Sequence, residues 1–459
     1  MGAALPRFVR AAVEHPVITV FLVALVSRLA FAIASNFLHD GPLIPDEEQY
    51  LVVAQWAADG ELTGSTWAGY AQSLFDSTRV FMWPLTALFW LFGPSRLVAL
   101  LLPVLFGAVT AAAATALARH LLRRPYALGA GLMVALFPSQ ILWSSVVLRE
   151  SLIWALLAVM ALLVVVSQRK ESTTGILWSV VAVALLFVAL TWGRDQTAAL
   201  ALWCVVPALV LGRSRRGFRI LCVAGLFLIA PWTVGMGPGG VVFIDNVLER
   251  LGTTQGYMSM TADSSFRSFE IIPTEVSPVE SFDTSSDCME YELRLEAGGL
   301  GDQQSELAKQ PSGEWDCVRD GDGDLLLVDN RLTTSFEGLP RGLYHTMIRP
   351  LPWESTATWG LKAAGFESPL WIIAYGLAGY GVWSLRRRFR QIAFPVLIFL
   401  AVSLSGAVTH GNLGTAFRHR GQVFFALALL VMAGVQALSG RRGGARSNPP
   451  DSGRGSEWV

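Results

Sequence analysis

Apolar runs of membrane-crossing length recur along this chain, separated by short polar connections. A hydrocarbon core about 30 Å thick takes roughly 20 apolar residues in a helix. The runs cover residues 16–37, 97–117, 126–146, 151–166, 175–192, 198–211, 220–235, 370–385, 392–408 and 423–438. They predict an all-α polytopic protein with about ten transmembrane helices. A further apolar stretch, 81–92, is short and is closed by Gly93 and Pro94. It reads as an interfacial or re-entrant helix, with Trp83 and Trp90 at headgroup level. Arg7 and Arg10 stand ahead of the first run as in a secretory signal. That run is long for a signal and is interrupted by Arg28, so it reads as an uncleaved span.

Basic residues then set the orientation, because short cytoplasmic loops are enriched in them. Arg7 and Arg10 precede the first run. Arg119, Arg123 and Arg124 follow the second, and Arg169 and Lys170 the fourth. Arg213, Arg215, Arg216 and Arg219 follow the sixth, Arg386, Arg387, Arg388 and Arg390 the eighth, and Arg441, Arg442 and Arg446 the tenth. Every second connection is basic, as an up-and-down path with both termini in the cytoplasm requires. The domain plan is therefore an N-terminal membrane module (1–236) with an outer loop (38–96), an outer insertion (237–367), a C-terminal membrane module (368–438) and a disordered cytoplasmic tail (439–459). Short Val, Ile, Thr and Phe runs broken by Gly, Pro and Ser predict β-strands in the insertion.

Composition fits this class. Of 459 residues 53% are hydrophobic and 15% charged, with 35 basic and 35 acidic side chains. A soluble domain carries about 25% charged residues, and the balanced charge gives no reason to expect nucleic acid as a partner. Abundant Ala, Leu, Gly and Arg with few Lys suggest a GC-rich bacterial genome. Cys288 and Cys317 fall in the outer insertion, where an oxidising compartment permits a disulfide. Cys204 and Cys222 sit in apolar runs and read as core residues. The acidic run 320–324 lacks the Gly and the Glu of a calcium loop, with Leu325 and Arg331 at those positions, and reads as a solvated turn. No Walker loop, dinucleotide fingerprint, HExxH or zinc-spaced cysteine set occurs, which argues against an ATP-driven pump.

With the orientation set, the unusual polar residues fall on the outer side. Asp46, Glu47, Glu48 and Tyr50 follow the first run. Arg149 and Glu150 lie between the third and fourth, and Arg194 and Asp195 between the fifth and sixth. His345 and Arg349 precede the eighth, and His410, Arg418, His419 and Arg420 lie between the ninth and tenth. Each alone is explained by interfacial anchoring or by a local ion pair. The acids at 46–48 also suit a helix N-terminus after Pro45. Together they predict one convergent outer site. Arg28 either faces that site or snorkels.

Four segments carry a resemblance: Pro45-Asp-Glu-Glu-Gln-Tyr50; the stretch Phe137-Pro-Ser-Gln-Ile-Leu-Trp143 through Arg149-Glu150; Arg341-Gly-Leu-Tyr344 with Arg349-Pro-Leu-Pro-Trp353-Glu354; and Phe417-Arg-His-Arg420. In order and sidedness they resemble the GT-C superfamily of integral membrane glycosyltransferases. The nearest parts of it are the bacterial branch similar to protein O-mannosyltransferases and the aminoarabinose transferase of lipid A. The likeness covers the first five and last three runs and leaves out about 238–340. His419 stands where that family has Tyr, the Pro that often follows is missing, and three acids in the first motif leave the choice of base open. The resemblance implies inverting sugar transfer at the outer face from a polyprenyl-phosphate donor to a glycan, lipid or protein acceptor of the cell envelope. It implies Asp46 or Glu47 as general base and Arg418 and Arg420, with Arg149, Arg194 and Arg349, as ligands of the donor phosphate. Glu48, Tyr50, Glu150, Asp195 and His345 are further site candidates. No metal site is indicated, although a divalent cation near the acids is compatible. Three rival readings remain: a polymerase or ligase of lipid-linked glycans, a transporter or flippase for a polar lipid, and a structural membrane protein carrying a sensor-like outer domain.

Overall fold

A computed structural model describes residues 7–39, 41–62, 68–211, 215–233, 315–319, 325–329, 339–354, 359–409 and 413–444, and these are predominantly helical. Six helical stretches are long and apolar enough to cross a membrane: Pro16–Leu38, Arg96–Arg119, Glu150–Arg169, Thr173–Thr191, Lys362–Ala407 and Ala416–Gly440. The fifth is two helices joined by a 3-10 turn at Arg386–Arg388.

In chain order the helices are α1 (Arg7–Glu14), α2 (Pro16–Leu38), α3 (Pro45–Asp59), α4 (Ala68–Ser77), α5 (Arg79–Phe92), α6 (Arg96–Arg119), α7 (Arg124–Leu136), α8 (Pro138–Trp143) and α9 (Glu150–Arg169). Then come α10 (Thr173–Thr191), α11 (Asp195–Val210), α12 (Arg216–Thr233), α13 (Leu339–Met347), α14 (Trp359–Leu385), α15 (Phe389–Thr409), α16 (Leu413–Arg420) and α17 (Phe424–Gly444). Between α12 and α13 lie two antiparallel strands, β1 (Trp315–Arg319) and β2 (Leu325–Asp329). Much of the insertion, and with it the Cys288–Cys317 pairing, lies outside the described residues, as do His410 and the tail from 445. Two boundaries move. α14 starts at Trp359, inside the stretch assigned to the insertion, and α17 continues to Gly444, past the expected end at 438.

The outward faces of these helices are as apolar as the inward ones. In α2, Val20, Ala24, Arg28 and Ala32 are buried at helical spacing, while Ile18, Leu22, Val26, Ile33 and Phe37 are exposed. A helix that is hydrophobic all round needs an apolar surround. Where α14 crosses α17, Gly381 faces the Leu430 carbonyl and Gly434 faces the Leu377 carbonyl, with no room for a Cβ at either. Small residues there let the two backbones meet, as in membrane helix pairs generally.

The long helices share two ends. At one, α6 begins beside α3, where Arg96 bonds Glu47, and the turn before α9 touches the same carboxylate through the Val147 amide. At the other, Arg169 of α9 donates to the His120 carbonyl after α6, and the Arg123 amide donates to Gln436 of α17 at 2.9 Å. α6 spans about 36 Å at 1.5 Å per residue, so the acidic end and the Arg169 end are far apart.

The third apolar run is not one helix. Pro138 has no amide hydrogen, and Phe137 before it is extended at φ −66°, ψ 128°, as a residue preceding proline prefers. α7 therefore stops and α8 starts anew. The break leaves carbonyls at Val134 and Ala135 that must find donors, since nothing in an apolar surround supplies them. Arg28 does so. Its Nη2 donates to Val134 at 3.0 Å, its Nη1 to Ala135 at 2.9 Å and Ala24 at 3.2 Å, and its Nε to the Ser144 hydroxyl at 2.6 Å. Neither of the two expectations for Arg28 holds: it is fully buried and caps the broken helix. Gly107 makes the room, because a Cβ there would overlap the Arg28 guanidinium and Ser144.

This arrangement predicts that Arg28→Met destabilises the protein by about 3 kcal/mol, the cost of orphaning two buried carbonyls. Gly107→Val should reproduce the effect by displacing the guanidinium. Melting temperatures of the purified variants in detergent check this, and a wild-type melting point for Arg28→Met overturns the capping role.

Candidate functional site

Four separate elements deliver charged side chains to one place. The first is the opening turn of α3. Pro45 sits at its first position, where a missing amide hydrogen costs nothing. Asp46, Glu47 and Glu48 follow, but the helix turns them to different environments. The Asp46 side chain is 46% exposed and the Glu47 side chain is fully buried. Glu47 Oε1 accepts from Arg96 Nε at 3.0 Å and the Val147 amide at 3.3 Å; Oε2 accepts from the Leu43 amide at 2.8 Å and Arg96 Nη2 at 3.3 Å. With both oxygens engaged and no solvent contact, Glu47 is a strut tying α3 to α6 and to the turn before α9. Of the two acids expected as candidates for a base, Glu47 is thus closed off by its partners and Asp46 is open to solvent. Glu48 is exposed.

The second element is the turn into α9, which carries Arg149 and Glu150. The third is the Gly193–Arg194 turn before α11, and the fourth is α16 with Arg418. Arg418 Nη1 donates to Asp46 Oδ2 at 2.7 Å and stands 3.6 Å from Glu150 Oε1. Arg194 Nη2 reaches the same Glu150 oxygen at 3.3 Å. Arg149 Nη1 donates to the Gly193 carbonyl at 2.9 Å, pinning one turn to the other. The Arg418 guanidinium lies 5.4 Å from the Trp143 ring centre, within cation–π range. Glu150 is buried at the first position of its helix, where the helix dipole favours an anion.

Tyr50, one turn into α3, is buried with its ring edge on Phe81 at 5.7 Å, and its hydroxyl feels Arg149, Glu150, Arg194 and Arg418. Burial raises the Tyr50 phenol above its ordinary pKa although three guanidiniums oppose this, so it stays a protonated donor. Burial, followed by the like charge of Arg149, lowers Arg194 to about 10, which leaves it charged at neutral pH.

Three guanidiniums thus meet two carboxylates, an excess of one positive charge. The pairing is also incomplete. Arg194 Nη1, Arg418 Nε, the Trp143 indole nitrogen and Glu150 Oε2 are buried without a hydrogen-bond partner. Buried polar atoms left unpaired cost about 1–3 kcal/mol each, and three of these four are donors. Among the described residues no three His, Cys, Asp or Glu side chains cluster to hold a metal ion.

The remaining sequence candidates gather elsewhere. Arg420 is two residues from Arg418 on the same helix and points the other way. Its Nη1 donates to the Met347 carbonyl at 3.0 Å, its Nη2 donates to the Arg349 carbonyl, and it lies 5.3 Å from the Trp371 ring. Arg349 Nε donates to Glu354 at 2.9 and 3.0 Å and its Nη1 meets His345 Nδ1 at 2.8 Å. A guanidinium only donates, so His345 Nδ1 accepts and its proton sits on Nε2. Arg349, His345 and Arg420 therefore form a second cluster with its own partners. The expected grouping of Arg420 and Arg349 with the Arg418 centre is corrected for that reason. Asp195 is exposed in the first turn of α11, where it accepts from the Gln196 amide at 2.7 Å. Arg96, whose pairing with Glu47 spans 49 positions, carried no sequence signal.

No protein-family model matches this chain, and a search of curated proteins finds no significant match.

Removing the central acid should expose how this centre is held. Glu150→Gln leaves Arg194 and Arg418 without their shared counter-ion and should cost about 3 kcal/mol, as breaking buried ion pairs does. Adding Arg194→Met should recover part of that loss rather than add to it. Melting temperatures of the single and double variants give the coupling, and strict additivity would show that the pair does not interact.

Proposed function

We propose that this protein is an inverting glycosyltransferase of the bacterial cytoplasmic membrane, using a polyprenyl-phosphate-linked sugar at the outer face. The observation that carries the reading is the Arg418 centre. Buried guanidinium donors from two helix ends stand unfilled beside Asp46, a half-exposed carboxylate. The basic connections support an orientation with about ten crossings, both termini inside and this centre outside.

The chemistry follows from the geometry. A donor phosphate is met by Arg418 and Arg194, whose N–H groups match phosphate oxygens. Arg149 holds the turn that carries Arg194. Asp46 takes the proton of the acceptor hydroxyl as that oxygen attacks the anomeric carbon. The bond from the anomeric carbon to the phosphate oxygen breaks on the opposite side, and its electron pair leaves with the phosphate. Guanidiniums fixed in a dry site stabilise the developing charge without reorganising. Glu150 keeps them fixed.

The transporter reading has one feature in its favour, the broken α7–α8 run, since transporters use discontinuous helices. Here the freed carbonyls are bound by Arg28 and are not offered to an ion. A polymerase or ligase of lipid-linked glycans differs in what is transferred, which a labelled donor reports.

The test is transfer of label from polyprenyl-phosphate sugars in membranes containing the protein. Asp46→Asn should lower transfer by at least about 10²-fold, the typical contribution of a general base, with an unchanged melting temperature. Arg418→Ala should weaken binding of polyprenyl phosphate to the purified protein. Wild-type transfer by Asp46→Asn removes the base, and wild-type phosphate affinity in Arg418→Ala removes the anion site.

A further inference from the structure

The end of the bundle opposite Asp46 carries a concentrated charge of one sign. Arg386, Arg387 and Arg388 form the 3-10 turn between α14 and α15, and Arg390 follows in the first turn of α15. All four are exposed, and among the described residues no carboxylate pairs with them. The one acid between 359 and 444 is Glu367, which lies about 28 Å back along α14 at 1.5 Å per residue. A neighbouring helix adds more base. Gly381 of α14 packs on Leu430 and Gly434 of α17, and just beyond that contact Gln436 of α17 accepts from the Arg123 amide. Arg123 and Arg124, both exposed, therefore stand at the same end as the turn.

Beside the arginines the surface is apolar. Trp383 lies one turn before them. The Arg386 guanidinium sits 4.4 Å from its ring centre, and Arg386 Nη1 donates to the Trp383 carbonyl at 2.9 Å. Trp383, Phe389 and Leu438 are all exposed. Cationic donors thus rim an apolar belt, with one guanidinium braced on an aromatic face.

This pairing of surfaces selects the partner. A soluble anion would use the guanidiniums and leave Trp383, Phe389 and Leu438 bare. A zwitterionic lipid would cover the apolar residues but bring no net charge to the arginines. An anionic phospholipid uses both: its phosphate takes paired N–H groups, and its chains lie along the apolar belt. We propose that the Arg386–Arg390 turn holds an anionic phospholipid of the adjoining leaflet, with Arg386 as its fixed donor. On the proposed orientation that leaflet is the cytoplasmic one. The site lies at the other end of the bundle from Arg418 and stands independently of the sugar-transfer reading.

Native mass spectrometry of the full-length protein in detergent tests this, with phosphatidylglycerol and phosphatidylcholine titrated in turn. Phosphatidylglycerol should bind at least about tenfold tighter. The triple variant Arg386→Gln, Arg387→Gln, Arg388→Gln should erase that preference, since each arginine near a lipid headgroup is worth about fivefold in affinity. A second triple variant, Arg10→Gln, Arg119→Gln, Arg216→Gln, removes the same charge from other helices at this end and should keep the preference. Trp383→Ala alters no charge and should weaken phosphatidylglycerol binding about threefold. It gives the answer should the turn variant fail to fold. A preference that survives in the turn variant, or is lost equally in the second triple, overturns the site, as does wild-type affinity in Trp383→Ala. Displacement of the lipid by inorganic phosphate at matched concentration overturns its assignment as a lipid site.

Discussion

A guanidinium buried in an apolar helical bundle must find acceptors, and this constraint organises the molecule. Arg28 uses its Nε and both terminal nitrogens on Ser144, Ala24, Val134 and Ala135. Arg219 donates to Ser167 and Lys170, closing the end of α9. Arg420 holds the Met347 and Arg349 carbonyls beyond α13. In each case the cation supplies donors to carbonyls that the end of a helix leaves open, and the alternative is an orphaned group in a medium without water. Arg418 and Arg194 differ in kind. They are paired with the carboxylates of Asp46 and Glu150.

The same constraint explains how the third run is built. A Phe-Pro step inside an apolar stretch would break a span without compensation, and hydropathy alone shows a continuous run. Three residues distant in sequence make the break tolerable: Arg28 supplies the donors, Ser144 accepts the third, and Gly107 gives up its side chain so that the guanidinium fits. The break then aims 138–149 toward the end of the bundle where Asp46 and Arg418 meet. One buried cation thereby links the fold of α2, α6 and α7 to the position of Trp143, Arg149 and Glu150.

What was legible in the sequence follows from which signals are local. The apolar runs and the alternating basic connections are local, and the long helices follow them. The meeting of Asp46 with Arg418, 372 positions apart, was visible only as a shared side of the chain, and the 2.7 Å contact matches that. Glu47 was indistinguishable from Asp46, because burial depends on Arg96 arriving from another helix. The resemblance of the Phe417–Arg420 stretch groups Arg420 with Arg418. Had residues 413–420 been read as a helix, two positions at about 100° each would have set the pair some 200° apart. The insertion boundary set at 367 gave no hint that α14 begins eight positions earlier, at Trp359.

The two acids at the Arg418 centre serve the cations differently. Glu150 is buried and its neighbours are two arginines, so it cannot leave without a large penalty. Asp46 is half exposed and bound to Arg418 alone, so its place can be taken by another anion. On the proposed reading, a phosphate oxygen arriving at Arg418 displaces Asp46 and frees it to accept a proton. Filling the donor site and exposing the base become one event. An acceptor hydroxyl arriving first meets a carboxylate that is still paired, which orders donor before acceptor without any moving domain.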